Sequence, residues 1–321
     1  MLGPWAREIA VHRVRLIRGA APSEDSLGGV TPRVTVLTPV FNRPEYVRQA
    51  IESALAQDVP GGAEILVVDD GSTDTTPEVL ASFGDQIRVI RQDNAGPAAA
   101  RNRGFEEARG EFVALLDSDD IWLPGKLAAQ VALLDAHPDA ALAHTDVEEF
   151  FEEGRQSEWV RRPPIVSGHV LRTLLRRNVI HTMTVLLRKS VLDAIGGFDP
   201  AYPPCEDWDL WLRITERYPI VGDPAATVRT RIHEGGISAD PIVVYRQAGA
   251  LLEAAGQRLM TERPRDGRLA KRQAARYKIK LGRRLARSGK TDEATTAFAE
   301  AVRVAPSARL AAWMARVFPK H

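Results

Sequence analysis

The chain has 321 residues, 44% hydrophobic and 26% charged, which excludes a disordered or fibrous protein and allows one large α/β domain plus an appendage. Its single cysteine, Cys205, rules out an intramolecular disulfide framework and fits a reducing compartment. Net charge is +1, yet residues 258–290 hold 13 Lys and Arg against only Glu262 and Asp266, so a basic appendage rides on an acidic body.

Residues 1–32 read as a tail in which Arg7, His12, Arg13, Arg15 and Arg18 interrupt any leader-like apolar run. No stretch approaches about 20 uncharged apolar residues. The expectation is therefore a cytoplasmic protein, at most attached to a membrane surface. Val34-Thr35-Val36-Leu37 reads as a buried strand, and 44–57 as a helix with Pro44 near its first turn. Strand signals recur at 64–68, 87–90 and 112–116, and helix signals at 75–83, 97–108 and 124–136. Strands joined by helical crossovers predict a mainly parallel sheet covered on both faces. Beyond it the pattern predicts a strand at 140–146, a helix at 167–177, a strand at 180–187 and a short helix at 190–195. A helix at 206–217 and a strand at 227–232 follow. From about 242 the sequence turns helical, which divides the chain into a tail (1–32), an α/β domain (33–240) and a helical module (241–321).

Ligands of open α/β sheets bind beyond the carboxyl ends of the parallel strands. Polar clusters follow each of the four strands: Thr38-Pro39-Val40-Phe41-Asn42-Arg43, then Asp69-Asp70-Gly71-Ser72-Thr73-Asp74, Asp93-Asn94-Ala95-Gly96-Pro97 and Asp117-Ser118-Asp119-Asp120. Carboxylates two residues apart at a strand end can converge on one divalent cation. Magnesium typically takes one or two carboxylates plus substrate phosphates, which suits a diphosphate. The plainer alternative has these acids capping the helix that starts near Pro124.

The ordered set Thr38-Pro39-Val40-Phe41-Asn42, Val68-Asp69-Asp70-Gly71-Ser72-Thr73-Asp74, Gly96 with Ala100-Arg101-Asn102, Leu115-Leu116-Asp117-Ser118-Asp119-Asp120 and Glu206-Asp207-Trp208-Asp209-Leu210 resembles the family 2 glycosyltransferases over roughly residues 33–240. The resemblance implies a GT-A fold, a nucleoside-diphosphate-sugar donor (UDP foremost), Mn2+ or Mg2+, and inversion at the anomeric carbon. It implies that Thr38, Pro39, Phe41 and Asn42 line the nucleotide pocket, with Asn94 on the same rim. Asp70 would accept from the base or ribose, Arg101 would contact the donor, and Asp117 would sit by the ribose or metal. Asp119 would ligate the metal, joined by His233. His181 is placed against the donor sugar. An attacking hydroxyl needs a base opposite the leaving group; the resemblance assigns it to Asp207, with Glu206 orienting it or meeting the acceptor. Duller roles stand beside these: Arg101 pairing with Glu106 or Glu107, Asn42 capping the helix at Pro44, and Glu206, Asp207 and Asp209 merely favouring a helix N-terminus.

The Gln-x-x-Arg-Trp signature of processive synthases is absent, so transfer of one or a few sugars is expected. Residues 275–308 match the spacing of one tetratricopeptide repeat through Leu281-Gly282, Leu285, Gly289, Ala294, Phe298, Ala301 and Pro306, with a covering helix at 307–317. A single repeat needs a neighbour, which the catalytic domain, the helix at 242–260 or a second subunit would supply; the module is expected to mediate homodimerisation or acceptor docking, with a structural buttress as the plainer alternative. The acceptor, whether glycan, lipid-linked sugar, peptide or small molecule, is not encoded in any motif, and no nucleic-acid partner is expected. Two rival functions remain: a nucleotidyltransferase, disfavoured because no glycine-rich phosphate loop follows the first strand, and a non-catalytic sugar-nucleotide-binding scaffold.

Overall fold

The computed structural model describes residues 31–151, 164–232 and 240–306. The tail through residue 30, His233 and the helix expected at 307–317 lie outside the described residues.

An apolar, β-branched run makes β1 (Val34–Val40), fully buried along its length. Pro44 opens α1 (Pro44–Leu55), which buries Val47, Ala50, Ile51 and Ala54 on one face. Then follow β2 (Ala63–Asp69), α2 (Thr76–Ala81), β3 (Arg88–Arg91), α3 (Pro97–Glu107), β4 (Phe112–Leu115), β5 (Ile121–Trp122) and α4 (Lys126–Ala136). The second half holds β6 (Leu142–Phe151), α5 (Leu171–Leu174), β7 (Leu186–Arg188), α6 (Lys189–Ile195), α7 (Glu206–Thr215) and β8 (Val221–Ile232). Three helices end it: α8 (Pro241–Glu262), α9 (Pro264–Arg287) and α10 (Thr291–Val304).

One eight-stranded sheet runs β3-β2-β1-β4-β7-β6-β8-β5. β3, β2, β1 and β4 are mutually parallel, so their carboxyl ends share one rim. β7 joins antiparallel to β4 and β6, β5 antiparallel to β8, and β6 pairs parallel with β8. The mixed, mainly parallel sheet agrees with the expected fold class. The strand pleat sorts the core into two layers. Val34, Val36 and Val40 face α1, α2 and α4, while Leu37 faces α3, α7 and the C-terminal helices.

Three expectations need correction. The helix at 167–177 shrinks to Leu171–Leu174, because Gly168, at φ +84°, bridges backbone to Ile220 instead. The strand at 180–187 is interrupted by a 3-10 turn at Thr182–Thr184, where the Thr184 hydroxyl bonds the His181 carbonyl at 2.7 Å. β8 begins at Val221, six residues early; Pro224 disguised it, and a register shift around Asp146 accommodates the irregularity.

α9 runs 24 residues, longer than a repeat helix, before Gly289 (φ +77°) turns the chain into α10. Leu281, Leu285, Ala294, Ala297 and Phe298 form a small cluster, which Ile242 and Tyr245 of α8 cover. Leu251, Leu252, Ala255, Leu269 and Ala270 of α8 and α9 belong to the same apolar cluster as Trp208 and Trp211 of α7. The neighbour required by α9 and α10 is thus supplied within the chain.

Candidate active site

The rim is built by loops that lock onto one another. Asp69 accepts from the Ser72 amide at 2.9 Å and from Arg91 at 2.7 Å, which shapes the turn after β2. Ser72 accepts from the Asn42 amide and Thr76 from the Arg43 amide, both at 3.0 Å, tying β1's exit to that turn. Asp70 reaches the other way, accepting from Gln92 at 2.7 Å and from the Ala95 and Gly96 amides at 3.0 and 2.8 Å. Gly71, at φ +81°, has no room for a side chain: a Cβ would lie 2.9 Å from the Asn94 nitrogen.

These loops border a cavity of about 900 Å³ whose lining includes Asp70, Arg101, Asp117, Asp119, His181 and Asp207. Pro39, Phe41, Asn94 and Glu206 also line it. The cavity falls in the size range of ligand sites. Thr38 does not reach it, being fully buried and placed by the pleat on the face of Val36 and Val40. Asn42 is exposed at φ +52°; its amide group binds Thr73 rather than capping α1, whose cap position is Arg43. The capping alternative for the acids after β4 fails as well, since α4 begins at Lys126 behind Gly125 with no side-chain cap.

Acid and base alternate across the cavity. Arg43 pairs with Asp119 at 2.9 Å, and Arg101 pairs with Asp117 at 2.6 Å and Glu206 at 3.4 Å. Arg101 does not pair with Glu106 or Glu107; Arg103 takes both. The Arg101 guanidinium, buried over the Phe198 ring at 5.3 Å, therefore ties the loop after β4 to the start of α7. Among the described residues its Nε and Oε2 of Glu206 are buried without a hydrogen-bond partner. Asp120 is buried, accepts from the Arg231 amide at 3.0 Å, and is pushed well above the usual carboxylate range by burial and then by Asp117 and Asp119. Arg231 stacks on Tyr46 at 4.5 Å and Phe150 at 4.7 Å and donates to the Asp119 carbonyl at 3.1 Å.

Asp207 differs from its neighbours. Its carboxylate accepts from the Trp208 amide at 2.6 Å, from Asn178 at 2.9 Å and from the Thr182 hydroxyl at 3.3 Å, all neutral donors. Burial first, then the charge of Glu206, raises it to about 7, against the pull of those bonds and Arg101. A carboxylate so tuned can take a proton near neutrality. Asp209, by contrast, is bound to Arg213 at 2.7 Å within α7 and is structural. Burial raises the Cys205 thiol to about 12, which keeps it protonated, and lowers the pKa of His181.

Sequence reasoning gave no role to Arg43, Asn178, Thr182 or Arg231. Arg43 directly follows the Asn42 cluster and was visible there. Asn178 and Thr182 come from a segment without a motif, and only the fold carries them to Asp207. No group of three or more His, Cys, Asp and Glu side chains suited to a metal gathers among the described residues. Asp117 and Asp119 offer carboxylates at the cavity wall. That set fits a cation that completes its shell with diphosphate and water and does not fit an all-protein cage.

Comparisons place this arrangement. A glycosyltransferase of Rickettsia felis, itself uncharacterized, is 34% identical over 208 residues, which cover 63% of this chain and 34% of that one. The match thus spans about a third of that relative's length. The structure of S. aureus TarS residues 1–349 in complex with UDP-GlcNAc superposes with a TM-score of 0.64 at 20% identity, over 87% of this chain and 83% of that one. The mannosyltransferase PcManGT from Pyrobaculum calidifontis, in complex with GDP-Man and Mn2+, gives 0.57 at 22% identity, over 89% and 79%. At such identities the likeness establishes the fold, a GT-A type sheet followed by α8, α9 and α10. The Glycosyl transferase family 2 profile matches residues 35–195, half of the chain, and with these motifs the chain belongs to glycosyl transferase family 2.

Proposed function

We propose that this chain transfers a sugar from a nucleoside diphosphate sugar to an acceptor hydroxyl with inversion, and that Asp207 is the general base. The observation that carries the reading is the division of labour in the cavity. Asp117 and Asp119 sit with Arg101 and Arg43, while Asp207 keeps only neutral donors and a pKa raised to about 7. The TarS structure with UDP-GlcNAc and the PcManGT structure with GDP-Man and Mn2+ support a sugar nucleotide as the ligand class.

In this mechanism Arg43 and Arg101 flank the acids that meet the diphosphate, and Asp70 holds the loop carrying Asn94 at the nucleotide end. Asp117 and Asp119 would hold Mn2+ or Mg2+, with His233 as a third candidate; bound there, the ion supplies Lewis-acid neutralisation of the departing diphosphate. Asp207 takes the acceptor's proton as the hydroxyl oxygen bonds to the anomeric carbon. The bond from that carbon to the diphosphate oxygen breaks on the opposite face, and its electron pair leaves with the diphosphate. Asn178 and Thr182 orient the Asp207 carboxylate, and Arg101 positions Glu206 beside it.

Titration calorimetry with UDP and GDP, with and without Mn2+, followed by hydrolysis assays over a nucleotide-sugar panel, tests the reading. Metal-dependent binding of a nucleoside diphosphate is expected, and no binding of either nucleotide would overturn it.

A further inference from the structure

The 13 cations of residues 258–290 are not scattered around the C-terminal helices. Some are spent internally: Arg258 pairs with Glu216 at 2.6 Å, and Lys278 is buried between Glu253 and Glu300. Six of the others line one face of α9. Arg268, Arg272, Arg276, Lys280, Arg283 and Arg287 are all exposed, and their spacing of three or four residues puts them on one arc of about 120°. The opposite face, with Ala270, Ala274, Leu281 and Leu285, is buried. The row extends for about 28 Å at 1.5 Å per residue. Arg268, Arg272, Arg276, Lys280 and Arg287 form no ion pair among the described residues. The acid of α9's first turn, Asp266, is already held by Arg172 of α5 at 2.9 Å.

We infer that this face of α9 docks the protein on an anionic lipid surface. The complementarity is one of shape as well as sign. A straight, convex row of long cationic side chains offers no groove and no fixed register, and mobile headgroups require neither. A folded protein partner would call for an apolar centre. None of the exposed large hydrophobic side chains, Phe41, Leu55, Val89 and Val243, lies on α9. Single-stranded nucleic acid would call for exposed stacking rings, whereas Tyr277 is half-buried against Trp208 at 5.6 Å. That contact also gives the docking consequence for the site, because Trp208 lines the cavity. Lipid held along α9 lies one aromatic pair from the cavity wall. The inference stands on the helix alone and does not need the proposed chemistry.

The test is co-sedimentation of the full chain with phosphatidylcholine vesicles containing about 30% phosphatidylglycerol and with pure phosphatidylcholine, against a variant carrying R268Q, R272Q, R276Q and K280Q. Binding only to the anionic vesicles, falling with salt, is expected. Each lost charge should cost about fivefold in partitioning, so the variant should bind at least ~100-fold more weakly. Its nucleotide affinity should match the parent's, because none of these side chains lines the cavity, and its melting temperature should fall only slightly, because the main contact given up is that of Lys280 over the Tyr277 ring at 4.5 Å. Equal binding to both vesicle types, an unaffected variant, or binding to polyphosphate or RNA without binding to vesicles would overturn the inference.

Discussion

Replacing Asp207 by Asn tests the base and the electrostatics behind it together. The Asp207 carboxyl has a folded pKa of about 7, raised by burial and by Glu206, against 3.8 for the free side chain. A base with that pKa is half ready at pH 7, about a tenth ready at pH 6 and about a hundredth at pH 5, so the parent's rate should fall nearly tenfold per unit below pH 7. The Asp207→Asn variant cannot accept the proton and should lose about 10²–10⁴ in turnover, with no such slope remaining. Stability moves the other way. Between pH 3.8 and 7 the folded state binds more protons at this site than the unfolded chain, so its contribution to stability falls as pH rises and is fully unfavourable above 7. Three pKa units correspond to about 4 kcal/mol. The introduced amide also meets the Asn178 amide that now donates to Asp207 at 2.9 Å, which takes back about 1 kcal/mol. Relative to the parent, the variant should be about 3 kcal/mol more stable at pH 8, and that advantage should vanish by about pH 4.5, measured by urea denaturation. A variant with turnover within tenfold of the parent would refute the base. A stability difference that does not change with pH would refute the raised pKa.

Two further perturbations probe the supports of the site. Arg101→Met strips the shared partner from Asp117 and Glu206 and should cost about 3–5 kcal/mol by denaturant titration. In the folded fraction it should move the pH–rate midpoint upward, because Arg101 helps hold Asp207 down. Gly282→Val drives a Cβ to 2.8 Å from the buried Phe298 ring and should destabilise α9 against α10 by about 2 kcal/mol in thermal denaturation. Gly249→Ala brings a Cβ to 3.2 Å from Cγ of Lys278, which Glu253 and Glu300 hold in place, so that crowding offsets the gain of about 1 kcal/mol in helix propensity and the variant should be nearly neutral.

How much of this was legible depended on whether the determinant was local. β1, β2 and β4 announce themselves as short runs dominated by apolar and β-branched residues because both faces of a central strand are buried, and Asp, Asn and Gly follow where the chain must turn. That placed Asp70, Asn94, Asp117 and Asp119 on one rim. The region between β6 and α7 resisted because its structure is set by distant partners. Gly168 bonds Ile220, and Trp122 bonds the Met183 carbonyl at 3.0 Å, across 61 residues. Lys126 reads as a solvated cation at a helix start. Instead it is fully buried over the Trp122 ring at 4.2 Å, its pKa lowered to about 7 by burial, a state that only packing explains. The helical spacing of 275–308 was legible, and the helix at 242–260 stood among the three neighbours it allowed; only packing selects α8.

The sequence shows which acids the site holds, and only the fold shows what each acid is bound to; that second fact separates their roles. Asp117, Asp119 and Glu206 each have an arginine within 3.4 Å, so their charge is committed before any ligand arrives. A diphosphate could draw those arginines toward itself and leave Asp117 and Asp119 to a cation, an exchange of partners at nearly constant local charge. Asp207 lies one residue from Glu206, yet α7 turns it toward Asn178 and Thr182, which can orient a carboxylate without neutralising it. Two adjacent acids at a helix start are thus divided by their partners into one that anchors and one that stays basic. The division rests on Arg101 reaching Glu206 rather than Asp207, a consequence of α3 packing beside α7 through Phe105, Phe198 and Trp211.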